Sequence, residues 1–129
     1  MTIARGTIQA ETWNQTPFSQ IDDTVALTTI SGTDRYVGDI EGTASMSGVT
    51  FGGAEDSGVF YSLQRMECVI SGRKGTFVVL LTGTFDPSSY GAEARVIPNS
   101  GTGELKGISG TGRLEPSSDG YTYTLDYTI

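Results

Sequence analysis

Apolar and polar side chains alternate along most of this chain, and the alternation is most regular in its last nine residues. Tyr121, Tyr123, Leu125, Tyr127 and Ile129 fall on one side, and Thr122, Thr124, Asp126 and Thr128 on the other. A period of two marks a half-buried β-strand. The same reading predicts strands near 4–13, 20–31, 34–48, 58–71, 75–86, 91–98, 104–115 and 120–129, and no window of a dozen residues keeps apolar side chains at helical spacing. Turn residues fall between them: Gly32-Thr-Asp34, Gly52-Gly53 with Asp56-Ser-Gly58, Ser71-Gly72, Pro87-Ser-Ser89, Pro98-Asn-Ser-Gly101 and Ser117-Ser-Asp-Gly120. Eight short strands at this spacing indicate an all-β sandwich or barrel. Glycines repeat along several strands, as at Gly38, Gly42 and Gly48 or Gly107, Gly110 and Gly112. They relieve crowding where strands coil, which favours a single eight-stranded antiparallel barrel over residues 1–129.

Alternation also predicts which side chains face inward. In the third segment these are Tyr36, Gly38, Ile40, Gly42, Ala44 and Met46, with Asp39, Glu41, Thr43, Ser45 and Ser47 outside. In the fourth, Arg65 and Glu67 belong to solvent, which turns Phe60, Ser62, Gln64, Met66, Cys68 and Ile70 inward; in the fifth, Phe77, Val79, Leu81 and Phe85 form the apolar side. Gln64 is then an amide among apolar neighbours. Left without partners it would cost roughly 1–3 kcal/mol, so it must bond to a tyrosine hydroxyl, to water or to a ligand. The inward tyrosines Tyr36, Tyr121, Tyr123 and Tyr127 each combine an apolar body with a hydroxyl that needs a partner. An eight-stranded barrel is either filled by such side chains or holds one small ligand.

Composition narrows the chemistry. Glycine is 18 of 129 residues while hydrophobic residues are 36%, so the glycine belongs to turns and strand bends rather than to a disordered chain. Eight Lys and Arg against fifteen Asp and Glu give a net charge of −7, which argues against a nucleic-acid partner. No segment approaches the ~20 apolar residues that span a bilayer, and Met1-Thr-Ile-Ala-Arg5 lacks the pattern of a signal peptide. The expectation is a cytoplasmic protein with no membrane association. Histidine is absent and Cys68 is the single cysteine, read as a small buried hydrophobe. Ser100-Gly-Thr-Gly-Glu-Leu105 lacks the Gly-Lys-Ser/Thr ending of a phosphate loop and reads as a hairpin or bulge loop. Asp22-Asp23 and the pair Asp39 and Glu41 read as solvated charge, and no metal or cofactor is expected.

A string of motifs runs through the chain. Trp13 followed by Pro17, Ile21-Asp-Asp23, Tyr36-Val-Gly-Asp-Ile-Glu-Gly42, Gly72-Arg-Lys-Gly-Thr-Phe-Val78, Gly83-Thr-Phe85, Val96-Ile-Pro-Asn-Ser-Gly-Thr-Gly-Glu-Leu105, Gly107-Ile-Ser-Gly110 and Tyr123-Thr-Leu-Asp-Tyr127 resemble a bacterial family of unknown function whose structurally known members have the allene oxide cyclase-like β-barrel. The resemblance implies fold rather than activity. It also implies a glutamate where this chain has Gln64 and a histidine where it has Leu81, so an acid–histidine pair carried over from relatives would be lost here. The cavity left behind would be neutral and would suit an uncharged hydrophobic molecule.

Two function classes follow. The first is a cofactor-independent cyclase or isomerase that folds a hydrophobic small molecule into a reactive shape, with Gln64, Tyr36 and Tyr123 making the polar, catalytic contacts and Trp13, Phe60, Met66, Cys68, Phe77, Leu81, Tyr121 and Tyr127 lining the ligand site. The second is a non-catalytic carrier or sensor with the same cavity. A weaker third is a fully packed barrel whose outside makes oligomer contacts; a homodimer is compatible with all three.

Overall fold

A computed structural model describes residues 2–53, 57–87, 89–118 and 120–129. The expected turn residues Asp56, Ser88 and Asp119 lie outside these. Nine strands follow in order: β1 (Thr2–Gln20), β2 (Ala26–Gly38), β3 (Ile40–Gly52), β4 (Gly58–Ile70), β5 (Arg73–Asp86), β6 (Ser89–Val96), β7 (Thr102–Gly103), β8 (Ser109–Ser117) and β9 (Gly120–Thr128). Neighbours pair antiparallel in the order β1-β2-β3-β4-β5-β6-β8-β9, and β9 pairs back onto β1, which closes an eight-stranded barrel. The two-residue β7 lies outside the ring, paired to Gly75 and Thr76 of β5. Among the described residues no helix is long and apolar enough to cross a membrane.

The inward sides match the alternation closely. Phe60, Ser62, Gln64, Met66, Cys68 and Ile70 of β4 are all buried, as are Phe77, Val79 and Leu81 of β5 and Tyr123, Leu125 and Tyr127 of β9. Ile129 departs from the pattern: it lies beyond the end of β9 and is 42% exposed. Trp13 also stands outside the packed interior, at 54% exposure.

Strand ends differ more. The expected turn at Gly32-Thr-Asp34 does not exist; β2 runs straight through it, paired on both flanks, with Gly32 opposite Trp13 on β1 and Met46 on β3. The glycine there faces a β-bulge, since the register of β1 shifts between Ala10 and Thr12. Hydroxyls of Thr12 and Thr33 lie 2.8 Å apart, and Thr12 Oγ1 accepts the Thr33 N–H at 3.0 Å. The real turn falls at Gly38 and Asp39, where Gly38 has φ +114°, a conformation that side chains with a Cβ rarely adopt. The expected strand at 104–115 begins only at Ser109, because residues 104–107 form a turn.

Two halves result along the barrel axis. In one, Ala4, Ile40, Met66, Ile70, Phe77, Tyr123, Leu125 and Tyr127 pack together, and the segment 97–108 drops Leu105 and Ile108 among them; Leu105 and Phe77 are fully buried. That segment is held to β5 by Ile97 N–H donating to the Val78 carbonyl at 2.8 Å and Glu104 N–H to the Lys74 carbonyl at 3.0 Å. In the other half, β1 extends past the end of β9 with β2 as its partner, and the interior is not filled.

Candidate functional site

The unfilled half is a cavity of about 470 Å³, within the range of small-molecule sites. Its walls are Ile8, Ala10, Ile30, Met46, Thr50, Phe60, Ser62, Leu81, Phe85 and Leu114, with Trp13 and Tyr121 among them and Asp34, Gln64 and Asp86 as polar members. A hollow of about 550 Å³ also lies on the outer face of β5, β6 and β8, between Leu80, Thr82, Glu93, Arg95, Thr111 and Arg113. It is a shallower, charged surface spanned by the Arg113–Glu93 ion pair at 3.7 Å. Exposed pairs of this kind contribute little. The interior cavity is the candidate site because its walls are mostly apolar and two of its polar groups, Asp34 and Gln64, meet there.

At the inner end of the cavity three side chains bond in sequence. The Tyr36 hydroxyl donates to Gln64 Oε1 at 2.5 Å, and Gln64 Nε2 donates to Asp34 Oδ2 at 3.2 Å. Tyr36 and Asp34 are two residues apart on β2 and point inward together, while Gln64 comes from β4, two strands over. On β3 Gly42 lies opposite Tyr36, Ala44 opposite Asp34 and Met46 opposite Gln64, so the contact runs diagonally over Ala44, whose small side chain leaves room for it. A Cβ at Gly42 would lie 2.7 Å from Cys68 Cα, so a larger residue there would displace β4. Gln64 is only 2% exposed, and its amide is turned one way: the oxygen is taken by the phenol, which leaves the NH₂ for the carboxylate.

Burial, and secondarily the negative charge of Glu11, pushes the Asp34 carboxyl above the ordinary aspartate value. This residue was hidden at the level of sequence, because Gly32-Thr-Asp34 has the composition of a turn. The only signal for it was parity: Asp34 shares the side of Tyr36, two positions on. Its presence corrects the expectation of a neutral cavity.

The other expected site residues divide between the two halves. Phe60, Leu81 and Tyr121 line the cavity with Gln64, and Trp13 stands among its walls while exposed. Tyr36 reaches it through Gln64. Tyr123 lies deeper, its ring 5.1 Å from that of Tyr36 at 47°. Its hydroxyl accepts the Ile40 N–H at 2.8 Å and lies 3.1 Å from the Val37 carbonyl and 3.2 Å from that of Ile40, both acceptors for its proton. Burial foremost, with the charges of Asp39 and Glu41 adding, holds that phenol above its usual pKa, so it stays neutral. Met66 and Phe77 border a void of only about 20 Å³ beside Tyr123, not the cavity. Cys68 is buried and its thiol is pushed up to about 11 by desolvation, too high for a thiolate at neutral pH. Tyr127 sits in the packed half, its hydroxyl 2.5 Å from Ser71 Oγ.

Three of the acids in these pairs accept backbone N–H groups. Asp22 Oδ1 accepts from Thr24 N–H at 2.8 Å and Val25 N–H at 2.9 Å, which lowers its pKa. Asp39 Oδ2 accepts the Arg5 N–H at 2.8 Å, and Glu41 Oε1 that of Gly38 at 3.3 Å, across the β2–β3 turn. Among the described residues no group of three or more Cys, Asp or Glu is placed to hold a metal ion.

Comparison with known proteins agrees with this architecture. A crystal structure of a protein of unknown function from Shewanella oneidensis superimposes with a TM-score of 0.82 over all of this chain and 97% of that one, at 21% identity. None of the curated proteins matches. The family model described as "protein of unknown function (DUF3224)", the family to which the Shewanella protein is also assigned, matches residues 4–127. The chain therefore belongs to the DUF3224 family.

Proposed function

We propose that this barrel binds a mostly apolar small molecule end-on in the cavity and cyclises or isomerises it without a cofactor, with Asp34 as the group that moves the proton. The observation that carries this reading is the Tyr36–Gln64–Asp34 series at the inner end of a mostly apolar space of about 470 Å³. Apolar walls would fold a flexible molecule into one reactive shape, which supplies rate through orientation. Asp34 would take a proton from one atom of the ligand and return it to another, so that no atom is gained or lost. Gln64 holds the carboxylate, Tyr36 holds Gln64, and the ring of Tyr123 backs Tyr36; these are positioning residues. A carboxyl raised by burial is a better proton carrier near neutrality than a solvated one.

The test begins with native mass spectrometry of the protein from its own host, which identifies the co-purifying molecule. Turnover of that molecule should then fall about 10²–10⁴-fold in Asp34→Asn. Equal turnover by the variant rejects the proton-moving role. A second reading, a non-catalytic carrier or sensor, is favoured by one feature: the Tyr36 hydroxyl and the Gln64 amide are spent on each other and on Asp34. It predicts that the bound molecule leaves the wild-type protein unchanged.

A further inference from the structure

We propose that the molecule held in this cavity is a cation with an apolar body, an alkyl or aryl amine whose charged end sits against the Asp34 carboxylate. This rests on the reading of the cavity as a ligand site and adds the sign of the ligand's charge. Two carboxylate residues, Asp34 and Asp86, line the cavity, and no lysine or arginine is among its described lining residues. The chain has no histidine to supply a positive charge instead.

An apolar anion would bring its head group beside a carboxylate with no countercharge, which desolvation makes costly. A neutral molecule could add at most a hydrogen bond to the one that Asp34 already accepts from Gln64. An ammonium group offsets it directly. Asp34 Oδ2 is engaged by Gln64, and a carboxylate has a second oxygen that can accept an N–H of the ligand. Trp13, Phe60, Phe85 and Tyr121 add aromatic walls, and ring electrons attract a cation. At long range the net charge of −7 draws cations toward the protein and repels anions.

Trp13 is the single tryptophan and borders the cavity, so its fluorescence reports occupancy. Titration at neutral pH with nonylamine, nonanol and nonanoate separates the possibilities, because the three share one apolar chain. The amine should bind at least about tenfold tighter than the alcohol, and nonanoate weakest. In Asp34→Asn the amine should fall to within about threefold of the alcohol measured on the same variant. If nonanol or nonanoate binds wild-type protein as tightly as nonylamine, the cation proposal is overturned while the binding cavity stands. Should none of the three bind, the cavity reading fails and takes this one with it. The comparison among ligands on wild-type protein needs no variant to fold.

Discussion

At the inner end of the cavity a carboxylate is held by an amide whose own oxygen is held by a phenol, so the state of one residue depends on two others. Burial and the charge of Glu11 raise the Asp34 pKa, so the folded protein keeps that proton to a higher pH than the unfolded chain does. Between the two values the native state binds more protons, and the stability contributed by this site falls as pH rises through the folded pKa. Asp34→Asn removes the penalty and keeps an oxygen for Gln64. Its Tm should exceed that of wild type at pH 7, with the difference closing as pH falls to the ordinary carboxylate range; a pH-independent difference would contradict the account. Tyr123→Phe tests a different residue. It strips the acceptor from the buried Ile40 N–H and should cost about 1–3 kcal/mol in urea unfolding. Burial of Gln64 was legible from parity with Arg65 and Glu67, whereas Asp34 was not, because glycine, threonine and aspartate together look the same in a turn and opposite a bulge.

Among the elements, β3 and the segment 97–108 shape the site most. The small inward residue Ala44, opposite Asp34, lets side chains of β2 and β4 meet diagonally over β3, and Ala44→Leu should crowd that meeting and destabilise by overpacking, about 1–3 kcal/mol, with a lower Tm. An unchanged Tm would mean that β3 has slack there. The segment 97–108 fills the packed half with Leu105, so Leu105→Ala should cost about 2–5 kcal/mol by urea denaturation. A cost near zero would mean that Leu105 is not part of the core. Sides of strands were readable because alternation reports burial directly, as in Phe60 through Ile70. Ends were not: the β2–β3 turn depends on Gly38 adopting positive φ, and Leu105 reads as strand because it is apolar, although its segment curls across the end of the barrel.

Over the whole molecule the barrel divides into a packed half and an open half that supplies space. Closure was legible in the number of strands and in part of the repeating glycines, since Gly42, Gly48, Gly110 and Gly112 lie within strands while Gly38 and Gly107 belong to turns. The division was not, because Phe60 and Phe77 look alike in sequence and only the three-dimensional arrangement puts one on the cavity and the other beside a void of only about 20 Å³. The central claim is that the open half takes up an apolar molecule. It is tested most directly by Trp13 fluorescence titration with nonylamine on wild-type protein and on Ser62→Phe, a substitution that puts a phenyl ring into the cavity from β4. With the Tm of both proteins recorded, saturable binding by wild type and its loss in a folded Ser62→Phe is the predicted result. Equal binding by both proteins would place the ligand elsewhere and contradict the account.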